Sequence, residues 1–318
     1  MKKLLITLLI LIFLSLLSIY IFIPGNITVS KVTVINCNEN GASRMLLQPL
    51  NWKKWWVHDT SASVPGYAAK GDSVIYKETK YRITKLLHNS VNVSIENRDN
   101  KINSTIDILP IASDTIAIQW KANIFAGSNP IRRVQKYQQA VSIKNNMTAI
   151  LFDLRSFLEK KENIYEINIQ STSTTDTLLV ATKSVSPGYP ATPVIYKSIK
   201  MLQEFIAQKG AAQTGAPMVN VTKLDAGNYQ YMAAIPTNIA LKDEGNIFFS
   251  KMVKGNFLVA EVRGGIKTVN KAMDNMELYI SDYKKTPMAI PFQSLITDRS
   301  KEGDTSKWLT KIYFPIYH

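Results

Sequence analysis

Two stretches near the carboxyl end of the sequence carry the polar residues best suited to line a binding cleft. Gln293 lies in "PFQSLITD", and Lys311 and Tyr313 lie in "KWLTKIYFPI". Because side chains alternate along a strand, Lys311 and Tyr313 lie on one face. We expect Gln293 to join them as the third polar point of a cleft on that face. Met232, at the matching position of an earlier strand, is assigned to the same cleft.

The charge of these residues predicts what the cleft prefers. Lys311 is the nearest formal charge, so a neutral or anionic amphiphile is expected to bind more tightly than a lipophilic cation. The alternative is that this lysine simply extends its ammonium group into solvent. Tyr229, Tyr231 and Trp308 are candidates for the apolar walls of the cleft or for the opposite face of the sheet.

A second group of aromatic residues lies in the amino-terminal half. Trp52, Trp55 and Trp56 fall within "PLNWKKWW", and Trp120 falls within "TIAIQWKANI". Large aromatic side chains supply much of the burial energy in small-molecule sites, so these tryptophans are candidate ligand-binding residues. The alternative is that they only fill the core. His58, just after the first three, is the candidate for a catalytic base in this half.

Composition argues against several classes of site. The 318 residues include one cysteine, Cys37, so an intrachain disulfide is ruled out. The three histidines show no metal-ligand spacing, and neither a metal nor a cofactor is expected. The formal net charge of +14 would suit an anionic partner, but it also fits a lysine-rich solvated surface. No DNA-reading motif is visible in the sequence, so no nucleic-acid partner is expected.

Residues 1–24 form the strongest single pattern in the sequence. Lys2 and Lys3 precede "LLITLLILIFLSLLSIYIFI", an uncharged run from residue 4 to residue 23. A helix of that length spans about 30 Å, which is the thickness of the hydrocarbon core. We expect an uncleaved, single-pass anchor in the cytoplasmic (inner) membrane, with the amino terminus inside and the bulk of the chain outside. A cleaved signal peptide is the alternative, although the run lacks a small-residue cleavage site.

Residues 25–161 are predicted to form one α+β unit. "ITVSKVTVI" alternates like a half-buried strand, further strand-like runs follow the tryptophans, and residues 143–161 carry an apolar helical stripe. This order resembles the START-like SRPBCC (polyketide-cyclase-like) superfamily. The resemblance implies a helix-grip fold, in which a curved sheet and a long helix enclose a cavity for a hydrophobic ligand. Some members of that superfamily are enzymes.

Residues 162–318 are predicted to contain one structural unit used twice. The order strand, helix, strand, strand occurs once in each half of this segment. Aligning Pro217 of "TGAPMVN" with Pro287 of "KKTPMAIPF" brings the four elements into the same order, and counting back from the proline that ends the last strand of each half places Met232 on Lys311. We therefore expect a duplicated β-α-β-β domain, in which a continuous sheet lies under two helices and a cleft follows the pseudo-twofold axis.

This doubled unit resembles the GyrI-like (gyrase-inhibitor-like) effector-binding domain, which also serves as the ligand module of bacterial multidrug-responsive regulators. "ITDR" and "KWLTKIYFPI" carry the resemblance most specifically. The resemblance implies a small-molecule pocket between the halves, and some relatives hydrolyse reactive small rings there. Two acids common in the family are replaced here by Gln293 and Lys311, which argues against cation binding and hydrolysis. Glu261, on the neighbouring strand, is the acid that would have to substitute for them.

Together these patterns predict a membrane-anchored sensor or carrier. It would bind an apolar or amphiphilic small molecule in the carboxyl-terminal cleft, in the amino-terminal cavity, or in both. The alternative is an enzyme, hydrolase or cyclase-like, that acts on a hydrophobic small molecule in one of the cavities. Such an enzyme needs a base with an oriented partner, and the sequence of the carboxyl-terminal half suggests none.

Overall fold

The computed structural model describes residues 2–56, 73–97, 100–174, 177–225, 227–252 and 254–317. Over this part of the chain the protein has seven α-helices and two antiparallel sheets, which confirms the expected α+β class. The chain divides into two compact units, Met1–Lys160 and Lys161–His318. Each unit contains one of the sheets.

An apolar helix, α1 (Lys2–Phe22), opens the amino-terminal unit. Its residues Lys3–Phe22 have a mean hydropathy of 2.9 and are not buried by the rest of the structure. By length and composition this helix can cross a membrane, and a signal sequence has the same properties. The Tyr20 hydroxyl near its end donates to the Ser128 carbonyl at 2.6 Å, and the Arg133 guanidinium lies 4.5 Å from the Tyr20 ring centroid.

Six strands form the sheet of the amino-terminal unit. They are β1 (Asn26–Ile35), β2 (Ser73–Tyr76), β3 (Thr79–Leu86), β4 (Ser90–Asn97), β5 (Asn100–Ala112) and β6 (Thr115–Phe125). Their order across the sheet is β1-β6-β5-β4-β3-β2, and every neighbouring pair is antiparallel. Buried and exposed residues alternate along parts of β5 and β6, as expected when one face of a sheet packs on a core.

Two short helices and one long helix complete this unit: α2 (Glu39–Leu46), α3 (Trp52–Trp55) and α4 (Pro130–Leu158). The apolar stripe expected on the long helix is confirmed, because all six of its members are buried: Ile143, Met147, Ile150, Leu151, Leu154 and Leu158. The helix begins at Pro130, earlier than the stripe predicted. The Asn129 side chain caps it by accepting from the Arg132 amide at 3.1 Å.

The carboxyl-terminal unit contains α5 (Lys161–Tyr165), α6 (Thr192–Gln208), α7 (Ile266–Asp282) and eight strands. The strands are β7 (Gln170–Thr174), β8 (Thr177–Pro187), β9 (Met218–Lys223), β10 (Asn228–Thr237), β11 (Ile247–Met252), β12 (Gly255–Arg263), β13 (Phe292–Leu295) and β14 (Leu309–Ile316). They form one sheet in the order β11-β8-β10-β9-β13-β14-β12-β7. Helix α6 packs on β8 and β10, and α7 packs on β12 and β14.

The element order corrects one detail of the expected internal alignment. The series β8, α6, β9, β10 is followed by β12, α7, β13, β14, with α6 and α7 both 17 residues long. Strand β9 begins directly after Pro217, and β13 begins directly after Pro291. These elements align Pro217 with Pro291 rather than with Pro287. The Pro287-Met288 pair misled the sequence alignment because it lies in the segment that leads to β13.

Candidate functional site

Strand register divides the expected cleft residues between two faces of the carboxyl-terminal sheet. Lys311 pairs with Ser294, whereas Gln293 pairs with Ile312. Paired residues in antiparallel strands share a face, and successive residues point to opposite faces. Tyr313 therefore shares the face of Lys311, and Gln293 does not. The expectation that all three line one cleft is wrong for this reason.

We refer to the side of the sheet covered by α6 and α7 as the helix face, and to the other side as the groove face. The Tyr231 hydroxyl lies 3.1 Å from Ser198 Oγ on α6, which places Tyr231 on the helix face. Met232, the next residue, lies on the groove face. It pairs with Asn220 of β9, and Met218 of the same strand pairs with Ser294, so the groove face runs continuously from Met232 to Lys311.

A groove of about 480 Å³ lies on the groove face, within the usual size range of small-molecule sites. Four methionines and two phenylalanines are among its lining residues: Met218, Met232, Met252, Met288, Phe257 and Phe292. Methionine side chains are flexible and polarisable, so this lining can adapt to apolar ligands of different shapes.

An aromatic cluster fixes one wall of the groove. Phe292 stacks on Tyr313 with ring centroids 4.9 Å apart, and Phe257 meets both rings edge-on at 6.1 Å. Such pairs restrict ring motion and add to the stability of the wall. Tyr313 contacts this wall through Phe292 and is not itself among the lining residues.

The rim of the groove is apolar and held in place by backbone contacts. Met288 and Ile290 are 43% and 54% exposed. The Met288 amide donates to the Pro315 carbonyl at 3.0 Å, and the Asn220 side chain donates to the Pro291 carbonyl at 2.8 Å. The groove therefore presents apolar side chains on a positioned segment, which is the arrangement expected of a preformed ligand site.

The charged residues that line the groove are basic. Lys251 and Lys254 contribute to one end, and the described lining residues include no aspartate or glutamate. Both lysines also interact with other groups of the protein. The preference for a neutral or anionic ligand that the sequence suggested stays a prediction.

Lys311 lies on the groove face, but it forms an ion pair outside the groove. Its Nζ lies 2.8 Å from Oε1 of Glu261, directly opposite on β12. The hydrogen bond between them raises the pKa of Lys311 and lowers the pKa of Glu261. Lys311 is not among the residues that line the groove. Glu261 therefore offsets the charge of Lys311.

The remaining expected residues of this unit lie away from the groove. Tyr229 meets Tyr189 with ring centroids 5.7 Å apart. Burial raises the pKa of Tyr189, and the Gln293 side chain beside its hydroxyl opposes that shift. Trp308 is buried, and its indole N–H donates to the Glu302 carbonyl at 2.8 Å. Tyr229, Tyr189 and Gln293 thus form a second polar and aromatic cluster, on the helix face.

The tryptophans of the amino-terminal unit pack against other aromatic rings in its core. Trp52 and Trp55 are buried, with ring centroids 5.1 Å apart, and Trp120 contacts Tyr81 at 5.7 Å. Their indole N–H groups donate to the carbonyls of Leu46 and Met45 and to Ser104 Oγ. Each of these three indole N–H groups therefore has a hydrogen-bond partner within the protein, as in a packed core.

A cavity of about 940 Å³ in the amino-terminal unit is lined mainly by polar residues of α4 and the strand ends, among them Gln135, Lys136 and Gln139. Trp52, Trp55 and Trp120 are not among its lining residues. His58, the candidate base, lies outside the described residues.

Sequence reasoning identified Met232 but missed most of the groove. Met218, Phe257 and Phe292 lie on three strands, and their convergence depends on the order of those strands in the sheet. The available signal was alternation: Phe292 is two residues before Ser294, and Met218 two before Asn220, so each pair shares a face. Only knowledge of which strands are neighbours makes this signal useful.

No protein-family model matches the chain, and no curated protein sequence matches it. A cryo-EM structure of the EcmrR–DNA complex in EcmrR-RPo aligns with a TM-score of 0.44 and 18% identity, over 58% of this chain and 69% of that one. SAV2435 bound to tetraphenylphosphonium aligns with a TM-score of 0.31 and 18% identity, over 48% and 94% of the two chains. A hydrolase encoded by lin2189 from Listeria innocua aligns with a TM-score of 0.37 and 8% identity, over 47% of this chain and 92% of that one. Because these TM-scores are below 0.5, the similarities carry no argument about function.

Proposed function

We propose that the carboxyl-terminal unit binds an apolar or anionic amphiphilic small molecule in the groove, as a sensor or carrier. The groove itself is the observation that carries this proposal. Its methionines and phenylalanines would cover the apolar part of the ligand, and burial of that part would supply most of the binding free energy. An anionic end of the ligand would lie beside Lys251 and Lys254.

We further infer that this unit is a GyrI-like domain built from a duplicated β-α-β-β element. The repeated element order, the equal lengths of α6 and α7 and the central pairing of β9 with β13 support this inference. A pseudo-twofold axis would then pass between β9 and β13, beside the groove.

For the amino-terminal unit we propose a START-like helix-grip domain. The order β1, two short helices, five strands and the long helix α4 supports the assignment. We place the ligand in the carboxyl-terminal groove because the tryptophans are packed and hydrogen-bonded. A ligand could enter among Trp52, Trp55 and Trp120 only by displacing those contacts.

We also propose that α1 anchors the protein in the cytoplasmic membrane, with both units on the outer side. The length and hydropathy of α1, and the lysine pair at its start, support this orientation. An amphiphile in the adjacent leaflet would then be available to the groove at high local concentration.

A matched pair of methionine substitutions tests the groove. Met288 and Met201 are 43% and 39% exposed, but Met288 lines the groove and Met201 lies on α6. The full chain in detergent micelles would be titrated with a dansyl-labelled fatty acid and with a dansyl-labelled alkylamine of equal length, against empty micelles. Met288→Asp should weaken fatty-acid binding about tenfold, because the carboxylate is placed where apolar surface and an anion must lie. Met201→Asp should leave it unchanged.

Two results would contradict the proposal. One is equal binding of the fatty acid by the two variants. The other is tighter binding of the alkylamine than of the fatty acid by the wild-type protein.

A further inference from the structure

The end of α1 is tied to the turn between β6 and α4 by hydrogen bonds. The Tyr20 hydroxyl donates to the Ser128 carbonyl at 2.6 Å. The Arg133 guanidinium donates through Nε to the Gly127 carbonyl and through Nη1 to the Ile23 carbonyl, both at 2.8 Å. The position of this turn therefore follows the position of α1.

The depth of the turn can be read from these contacts. The apolar segment extends to Phe22, so Tyr20 lies inside it. Because Ser128 is bonded to Tyr20, the β6–α4 turn lies level with the end of the apolar segment. β1 begins at Asn26, four residues after Phe22, and Asn26 pairs with Phe125 at the end of β6. If α1 crosses the bilayer, as proposed above, this level is the headgroup layer, where tyrosine is enriched.

Two large apolar side chains are exposed at this level. Phe125 is 77% exposed, more than any other large hydrophobic residue of the described chain outside α1, and Ile131 is 69% exposed. They lie on either side of the turn that contacts α1. Exposed apolar residues grouped in this way mark an interaction surface, and beside a membrane they are the groups that enter its interface.

The same turn borders a cavity with a basic lining. Gly127 and Ser128 line the cavity of about 940 Å³ described above, together with Arg132 and Lys136, which lie one turn apart on α4. Glu78 is the acid among the described lining residues. The cavity therefore opens beside the end of α1 and carries more positive than negative charge.

The two basic groups of the cavity are available to an anion. Within the described residues the exposed Arg132 guanidinium forms no hydrogen bond or ion pair. Lys136 Nζ donates to the amide oxygens of Asn100 and Gln139, at 2.8 and 2.9 Å, and neutral acceptors do not offset its charge. Residues 115–152 include five basic residues and no acid. A basic cluster next to a membrane span attracts anionic lipid headgroups.

We propose that this end of the amino-terminal unit docks on the bilayer surface and binds the phosphate of an anionic phospholipid. The inference rests on the proposed anchoring by α1. Phe125 and Ile131 enter the membrane interface, and the phosphate accepts from the Arg132 guanidinium at the mouth of the cavity, with Lys136 adding its charge. A guanidinium suits this role because its donors bind two phosphate oxygens at once. The bound lipid stays in the bilayer, so this surface is distinct from the groove of the carboxyl-terminal unit.

Fluorescence quenching in nanodiscs tests the docking. The full chain would carry a nitrobenzoxadiazole label on one introduced cysteine, read with and without doxyl-labelled lipid. The variants are Phe125→Cys, Ile131→Cys, Ile111→Cys and Leu14→Cys. Cys37 is buried, so the unsubstituted chain is the labelling blank. We expect quenching at positions 125 and 131, and none at position 111, which is 60% exposed at the opposite end of the same sheet.

Position 14 separates failure of the docking from failure of the anchor, because it lies within α1. Quenching there without quenching at positions 125 and 131 would overturn the docking and leave the anchor intact. No quenching at position 14 would overturn both. Equal quenching at positions 111, 125 and 131 would overturn the docking too, because the unit would then touch the membrane without this orientation.

Lipid retention tests the role of charge. The full chain would be extracted with detergent from bilayers of equal parts phosphatidylglycerol and phosphatidylcholine, and the retained lipids would be measured by mass spectrometry. The wild type should retain an excess of phosphatidylglycerol. Arg132→Gln should reduce that excess about fivefold, the factor expected for one basic residue at an anionic membrane surface. Lys85→Gln, which removes an exposed positive charge at the opposite end of the sheet, should match the wild type.

Two retention results would overturn the headgroup contact. One is the same phosphatidylglycerol excess in Arg132→Gln as in the wild type. The other is loss of the excess in Met288→Asp with its persistence in Arg132→Gln, because the lipid would then occupy the groove. The groove proposal is judged separately, by the dansyl probes.

Discussion

Tyr81 allows a quantitative test of the core of the amino-terminal unit. Its side chain is fully buried, and its hydroxyl has no hydrogen-bond partner among the described residues. The ring packs between Trp56 and Trp120, at centroid distances of 5.3 and 5.7 Å. Burial raises the pKa of Tyr81 from 10.0 to about 12. The Asn146 side chain opposes this shift from nearby, without meeting hydrogen-bonding geometry.

This pKa shift makes stability depend on pH in one direction. The unfolded chain releases the Tyr81 proton near pH 10, and the folded chain keeps it up to about pH 12. Between these values the unfolded state binds fewer protons, so the free energy of unfolding falls as pH rises. The contribution is fully present below pH 10. It declines by about 1.4 kcal/mol per pH unit, for a total of about 2.7 kcal/mol.

The substitution Tyr81→Phe isolates this effect. At neutral pH it should be neutral or slightly stabilising, because it removes a buried hydroxyl that lacks a partner. Urea unfolding of the full chain would be followed by tryptophan fluorescence from about pH 8 to about pH 11, and the wild type should lose about 1.4 kcal/mol relative to the variant. Four of the five tryptophans belong to this unit, so the signal reports mainly on it. Parallel pH profiles, or a loss above about 1 kcal/mol in the variant at pH 8, would refute the reasoning.

Three further predictions concern the sheet, a turn and the anchor. Lys311→Glu places two carboxylates opposite each other across β12 and β14, so it should lower the melting temperature. Lys311→Gln only removes the attraction to Glu261 and should lower the melting temperature less. Equal decreases in scanning fluorimetry would contradict this. Gly264 has a φ of 133°, and an added Cβ would lie 2.9 Å from Thr268 Oγ1. Gly264→Ala should therefore lower the free energy of unfolding by about 1–3 kcal/mol. Gly188 has a φ of 79°, and an added Cβ would meet no atom within 4 Å, so Gly188→Ala should lower the free energy of unfolding by less. A larger loss for Gly188→Ala than for Gly264→Ala in urea unfolding would be inconsistent with the structure. A carboxyl-terminal alkaline phosphatase fusion, active only outside the cytoplasm, should be active and membrane-bound, and activity of a cytoplasm-dependent reporter at the same position would disprove the orientation.

Local patterns predicted elements whose burial follows from the sequence alone. The apolar stripe of α4 predicted its buried face, because a helix brings every third or fourth residue to one side. The first turns of α4 were missed since residues 131–139 include no buried residue and carry no apolar stripe. Strands β7 and β11 were also missed. They lie at the two edges of their sheet, and β11 shows no clean alternation of burial.

The site could be predicted only in part because its geometry depends on register. The sequence placed Lys311 and Tyr313 on one face, which pleating alone requires. It could not show that Gln293 faces the other way, or that Glu261 lies opposite Lys311, since both facts follow from how separate strands pair. Arg299 Nε has no hydrogen-bond partner among the described residues, and this too becomes visible only when every neighbouring donor and acceptor is placed.

Photocrosslinking tests most directly the claim that the groove holds an amphiphile. The full-length protein would be irradiated with a diazirine-bearing fatty acid in micelles, and the modified residues would be mapped by mass spectrometry. Outside α1, which contacts the micelle in any case, we expect adducts on Met218, Met232 or Phe292 in the wild type and their loss in Met288→Asp. Adducts confined to the tryptophan core of the amino-terminal unit, or to α6 and α7, would contradict the assignment of the groove as the binding site.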